Sequence, residues 1–206
     1  KVHRNPIPWP SRGVELSQPE WLLERWERRY GAETAPRIAR AFLAPPETYV
    51  RAPGGVPPGP AEWELTEIPG CFRLLKGRPA GPRIQDIGSQ SIVPLLDLRP
   101  GQTLLDLCAA PGNKTAQALE SGVRAVACDS SLRRLAPLRG LGCGLVVLDG
   151  TRPLPFGRRF ERILVDAPCS NTGVMRRRID LRWRLRPTEI ERLRRAQLAL
   201  LRTAAR

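Results

Sequence analysis

From Thr103 onward, short and mostly apolar runs alternate with longer amphipathic stretches. Thr103–Leu107, Arg124–Cys128, Leu145–Leu148 and Arg162–Val165 are strand-length runs of the kind that are buried on both faces. Lys114–Ser121 and Ser131–Leu138, which lie between them, read as helices. This alternation predicts an α/β fold: a parallel sheet with right-handed crossovers. The first and last of these strands each reach an aspartate and break into a Pro-containing turn of small residues, Cys108-Ala-Ala-Pro-Gly-Asn-Lys-Thr115 and Ala167-Pro-Cys-Ser-Asn-Thr-Gly173. Open α/β sheets bind ligands at such carboxyl-edge loops.

Upstream the grammar differs. Ser17-Gln-Pro-Glu20 reads as a capping box opening a helix to Gly31, with Leu22, Trp26 and Tyr30 on one face. Residues 1–16 read as extended. A shorter helix is expected from Thr34 to Phe42, stopped by Ala44-Pro-Pro46, then a strand over Thr48–Arg51. Glu62–Ile68 and Cys71–Leu75 alternate and are expected to pair as a hairpin. Residues 17–78 thus form a small α+β module, and the domain boundary is expected near residue 80, giving domains of 1–80 and 81–206. Asp86–Leu98 reads as a helix bent near Pro94. A second capping box, Thr188-Glu-Ile-Glu191, opens an amphipathic helix with Ile190, Leu193, Leu200 and Ala204 on one stripe. The Ile163-Leu-Val165 strand is expected to be an apolar edge. From this edge the expectation is that the natural protein continues and that at least one more strand packs beside this one; with no initiator Met, the given N-terminus is not expected to be the gene's start.

Charge narrows the partner. The 206 residues carry 34 Lys and Arg against 20 Asp and Glu, a net +14, and 31 of the 34 are arginine. Residues 1–100 hold 14 basic and 11 acidic groups, leaving 20 and 9 for residues 101–206. Residues 176–206 alone carry 11 Arg against 3 acids. Arginine grips phosphate bidentately and stacks on bases, so RNA or DNA is the expected partner. Five cysteines without a CxxC pair point to a reducing compartment, and the expected location is cytoplasmic. The opening residues lack a signal-peptide core, and no apolar run approaches the ~20 residues of a membrane span. The only histidine is His3, which removes Ser-His and Cys-His catalysis and makes a metal site unexpected.

The strand-end aspartates suggest a nucleoside site. Asp106 ends the first strand. Asp129 ends the next, where a carboxylate can accept from both ribose hydroxyls. Asp149 follows the third, where an adenine edge would lie. Each aspartate taken singly reads equally well as a helix cap.

The two loops together resemble the NOL1/NOP2/Sun family of RNA cytosine-C5 methyltransferases, in particular its bacterial rRNA-modifying Sun (Fmu) branch. The likeness spans residues 17–206 and includes Gln85-Asp-Ile-Gly-Ser-Gln90, Asp106 to Thr115, Asp129, Asp149, Asp166 to Arg178, Asp180 and Trp183. It implies a Rossmann-like methyltransferase core behind a small RNA-guiding N-terminal module, acting on RNA of the 16S ribosomal type. It implies S-adenosylmethionine (SAM) held by Cys108, Ala109, Ala110, Pro111, Gly112, Asn113 and Lys114, with Asp129 on the ribose, Asp149 near the adenine and Asp166 beside them. Asp166 and Cys169 would face the target base. In that family the attacking thiol comes from a later Thr-Cys loop, and the cysteine matched by Cys169 assists release of product. No cysteine here follows a threonine, so this chain is expected to bind SAM and RNA with little or no turnover. A catalytically incomplete SAM- and RNA-binding fragment, or a tRNA or DNA cytosine methyltransferase, are the alternatives. Asn113, Asn171 and Glu161 depart from the family pattern. Arg176, Arg177, Arg178, Arg182 and Arg184 are expected to face RNA around a core-packed Trp183.

Overall fold

This computed structural model describes residues 8–81, 83–157 and 160–206; His3 lies outside them. The chain opens with α1 (Arg12–Glu15), α2 (Glu20–Tyr30) and α3 (Thr34–Ala41). Strands β1 (Tyr49–Arg51), β2 (Glu62–Leu65), β3 (Cys71–Lys76) and β4 (Arg83–Ile84) follow, then α4 (Ile87–Gln90). Next come β5 (Thr103–Asp106), α5 (Asn113–Leu119), β6 (Arg124–Asp129), α6 (Leu132–Leu135), β7 (Gly144–Val147) and β8 (Arg162–Leu164). Helices α7 (Leu181–Arg184) and α8 (Pro187–Ala204) close it. No helix among the described residues is long and apolar enough to cross a membrane.

Two compact units emerge. One takes residues 1–46 and 169–193, the other 47–168 and 194–206. The expected boundary near residue 80 therefore falls inside the second unit.

The first unit is helical. Leu22, Leu23 and Trp26 of α2 and Ala35 and Ala39 of α3 bury one side of each helix together with Leu16, Met175 and Leu185. Trp26 stacks on Phe42 with centroids 5.8 Å apart. Each large side chain so buried contributes about 1.5–3 kcal/mol. The expected capping box at Ser17 does not form. The short α1, capped by Ser11, occupies what was read as extended chain, and Ser17 follows it at a positive φ. Glu20 instead accepts from the Gly13 amide at 2.6 Å, and α2 starts after Pro19 without a side-chain cap. Pro187 begins α8, so Thr188 lies inside that helix. Pro suits that first position, where its missing N–H is no loss.

The second unit holds two four-stranded sheets. The expected hairpin is present: β2 and β3 pair antiparallel within the order β2-β3-β1-β4. The other sheet is parallel throughout, in the order β7-β6-β5-β8. Strand order reverses between β5 and β8, the switch point at which open α/β sheets bind ligands. Alternation sends Leu104 to a cluster with Val93, Ala118 and Leu164, and Leu105 to another with Cys128 and Leu200. At the amino edge, Glu161 accepts from the amide and the hydroxyl of Thr103. Both expected longer helices break at proline, whose ring obstructs the carbonyl four residues back. Helix α4 ends at Gln90 and Pro94 falls in a 3-10 turn, Val93–Leu96; α6 passes into the 3-10 turn Ala136–Leu138 around Pro137. Buried glutamines link the sheets' flanks. Gln85 donates to Gln117, Gln117 to the Gln90 carbonyl, and Gln90 to the carbonyls of Gln85 and Val50.

Candidate active site

The site is built on the carboxyl ends of β5, β6 and β8. Asp106, the last residue of β5, is buried. Its Oδ2 accepts from the Thr115 hydroxyl at 2.7 Å, and its Oδ1 is buried without a protein partner. The chain then stays against β6, with the Ala109 amide donating to the Cys128 carbonyl at 2.8 Å, and turns as the Gly112 amide donates to the Ala109 carbonyl. Gly112 has φ 104°, and a Cβ there would lie 2.6 Å from Leu138. Only glycine fits both demands. Asn113 and Lys114 start α5, and the Lys114 ammonium meets Asp166 at 2.6 Å. That ion pair joins the loop after β5 to the loop after β8 across the switch point.

Electrostatics separate these groups. Burial foremost, then the carboxylates of Asp106, Asp129 and Asp166, push the half-buried Cys108 thiol up to about 11. A neutral thiol is the stable form there. Burial also lifts Asp106 to about 6, against the Thr115 hydrogen bond that favours its ionised form. Asp129 ends β6 and is buried; one oxygen accepts from the Ser131 amide at 3.0 Å and the other meets Arg134 at 3.4 Å. Arg134 also donates to the Ala110 carbonyl. Asp149, beyond β7, is exposed and accepts from the Thr151 hydroxyl and amide, which hold its carboxyl below the usual range. The helix-cap alternative fits neither: Asp149 closes only its own turn, no helix follows it before β8 among the described residues, and Ser131 rather than Asp129 caps α6. Asp106, Asp129 and Asp166 all act on Cys108, while Asp149 is engaged within its own turn.

Cys169 belongs to the first unit and is exposed. The Asn171 amide donates to its sulfur at 3.4 Å, and Asn171 takes a left-handed φ of 56°, which asparagine tolerates. Two expectations for the arginine run reverse. Trp183 is not in the core; it is 55% exposed. Arg182 is buried at 4% exposure and donates to the carbonyls of Phe42 and Met175, so it is not offered to RNA. Leu181 and Leu185 take the inward positions beside it, and the short α7 turns Trp183 outward. Arg176 is half-buried and donates to the carbonyls of Ala44 and Pro45. Arg177, Arg178 and Arg184 are exposed, the last two beside Asp180.

Thr115 and Arg134 were not singled out from the sequence. The first follows a strand-end aspartate by nine positions, too far for any local rule. The second carried only a surface-helix signal.

The arrangement suits a ligand that combines a positive centre, hydroxyls and a carboxylate. Three carboxylates supply negative potential, the orphaned Asp106 Oδ1 can still accept a hydrogen bond, and Ala109 to Gly112 allow close backbone approach. Lys114, in the first turn of α5, favours an anion.

The family model for 16S rRNA methyltransferase RsmB/F matches residues 93–206. Probable ribosomal RNA small subunit methyltransferase B of Bacillus subtilis is 31% identical over 227 residues, covering 93% of this chain and 50% of that protein. Ribosomal RNA small subunit methyltransferase B of Thermus thermophilus is 35% identical over 205 residues, covering 93% and 48%. The chain therefore spans about half the length of the curated relatives it matches. NSun6 from Pyrococcus horikoshii, solved with SFG, shares the fold: TM-score 0.74 at 16% identity, covering 90% of this chain and 79% of that one.

Proposed function

The chain belongs to the 16S rRNA methyltransferase RsmB/F family, and we propose that it binds SAM at the carboxyl edge of its parallel sheet and serves methyl transfer to C5 of cytosine in ribosomal RNA. One observation carries this reading: the convergence of Asp106, Asp129 and Asp166 on the Cys108 loop at the switch point between β5 and β8. SFG, present in the solved NSun6, is a SAM analogue, which supports the same ligand class.

When bound, SAM supplies a methyl group on a sulfonium. The chain's own groups do the rest. Asp129, once freed from Arg134, accepts from ribose hydroxyls. The loop from Cys108 through Ala109, Ala110, Pro111, Gly112 and Asn113 lies along the cofactor, and Lys114 pairs with its carboxylate or keeps Asp166 in place. Asp149 reaches the adenine only if its turn opens. Asp166 hydrogen-bonds the target base and stabilises charge that develops on it during attack. Cytosine C5 needs a thiolate at C6 before it can take a methyl. Cys108 is unsuited to that attack because its surroundings disfavour the thiolate. Cys169, exposed, is assigned to product release. Arg177, Arg178 and Arg184 give the polyanion its charge complement, and residues 1–80 are assigned the guiding of RNA.

A second reading, binding of SAM and RNA without turnover, is favoured by one specific fact: burial pushes the thiols of Cys71, Cys108, Cys128 and Cys143 up, away from the thiolate. Calorimetry with SAM tests what both readings share. Asp129→Ala should weaken binding by about 1–3 kcal/mol through lost hydrogen bonds, and unchanged affinity would place the cofactor elsewhere. Incorporation of labelled methyl into ribosomal RNA, mapped to cytosine C5, then separates the readings. In a protein that turns over, Cys169→Ala should slow release of methylated RNA, and normal multiple turnover would remove that role.

A further inference from the structure

The first unit contains a cavity of about 450 Å³. It is lined by Leu22, Arg25, Trp26, Arg28, Arg29 and Tyr30 of α2, by Ser170 and Thr172, and by Ile190. Ser170 is the residue next to Cys169, and its hydroxyl lies 3.2 Å from that of Thr172.

Charge on α2 is segregated. Arg25, Arg28 and Arg29 are spaced i, i+3, i+4 and share one side of the helix, while Glu20, Glu24 and Glu27 are spaced i, i+4, i+7 and share another. The acids on that second side have partners within the unit. Glu20 accepts from the Gly13 amide and Glu27 pairs with Arg12. Glu24 reaches Arg28 only at 3.9 Å between exposed side chains, an ion pair that holds Arg28 weakly. Arg25 and Arg29 are exposed and line the cavity, and the unit's carboxylates that lie on α2 face away from them.

We propose that this cavity is a phosphate subsite for single-stranded RNA, seating the backbone of a nucleotide next to the one presented to Cys169. The proposal deepens the RNA reading above and rests on it. Three guanidiniums on one side of α2 present planar donor forks to phosphate oxygens, and the Ser170–Thr172 hydroxyl pair, also on the lining, has one O–H left to donate. Because the same loop carries Cys169, an RNA strand gripped here is held in register with that thiol.

The test is an anisotropy titration of a short fluorescein-labelled single-stranded RNA against the whole chain over a range of salt concentrations. The Arg25→Ala/Arg29→Ala variant should bind about tenfold more weakly, and its log–log salt slope should fall by about 1.4, two phosphate contacts at ~0.7 each. The charge-matched variant Arg133→Ala/Arg139→Ala, on exposed positions of the second unit, should change affinity by about twofold or less. Equal weakening by both variants would mean diffuse charge and overturn the subsite, as would parental affinity in the α2 variant. In the unsubstituted chain, RNA should protect Arg25 and Arg29 from phenylglyoxal; labelling that RNA leaves unchanged overturns the proposal without recourse to a variant. Displacement of RNA by polyglutamate with the same dependence on Arg25 and Arg29 would assign the cavity to an acidic protein instead. A parent chain that binds SAM but no RNA would overturn this proposal and the RNA half of the function, leaving the cofactor site standing. A parent chain that binds RNA as expected but no SAM would sink the cofactor reading alone.

Discussion

The two units handle charge in opposite ways. At the sheet edge, carboxylates are buried or paired beside a half-buried thiol, and removal from water sets their properties: Asp106 rises to about 6 and Cys108 to about 11. In the helical unit, most charge is arginine left in solvent, where each group is screened and acts only by number and placement. Arg182 is the exception that proves burial decisive. It shares a short helix with Arg184, yet its guanidinium is enclosed and bonded to carbonyls, and burial lowers its pKa. Residue type alone does not say whether a charge builds the fold or meets a ligand; its exposure does.

The sharpest way to break this comparison is thiol chemistry. Iodoacetamide near neutral pH should modify exposed Cys169 on the order of a hundredfold faster than Cys108, since the latter's thiolate is scarce. Peptide mapping that finds comparable rates would refute the acidic surroundings assigned to Cys108.

Next comes Asp106. Its folded pKa lies above the ordinary value of 3.8, so the folded state binds the proton more tightly than the unfolded chain does. The contribution of Asp106 to stability is therefore greatest below about pH 4, falls as pH rises to about 6, and stays lower above it. Asp106→Asn removes that penalty. It should unfold at higher denaturant concentration than the parent at pH 7, by at most about 3 kcal/mol, with the gap closing near pH 4. A gap that does not vary with pH would show that Asp106 is not held as described.

Arg182→Ala leaves two buried carbonyls without their donor and should cost about 2–3 kcal/mol, whereas Arg184→Ala should be near neutral in the same melts. Equal effects would mean the inward and outward assignments are mistaken. Gly112→Ala combines a positive φ with a clash on Leu138 and should cost about 2 kcal/mol. Gly101→Ala, at φ 83° with open space around it, should cost about half as much, from backbone strain alone.

Much of the parallel sheet was legible because its signal is local. An apolar run bounded by turn residues reads as a buried strand wherever it falls, and β5, β6, β7 and β8 all lie within a residue or two of their expected limits. The hairpin of β2 and β3 was legible for the same reason. The helix starts were less so. Glu20 satisfies the capping-box pattern with Ser17, but a competing donor, the Gly13 amide, is brought to it by the preceding turn. Pro94 signalled only a bend, and Ser131–Leu138 read as one helix despite Pro137, whereas the chain changes helix type at both prolines.

The candidate site divides in the same way. Local order is enough to tell that aspartates stand at or just past the ends of successive strands, that Gly112 sits where a strand turns into a helix, and that a thiol follows Asp166 by three residues, because these facts depend only on neighbours along the chain. It took the packed fold to set Thr115 on Asp106, Arg134 on Asp129 and Lys114 on Asp166 across the switch point, and to exchange the expected places of Arg182 and Trp183. Each of those depends on which segments are packed together and on how much water that packing excludes, and neither quantity is written in local order.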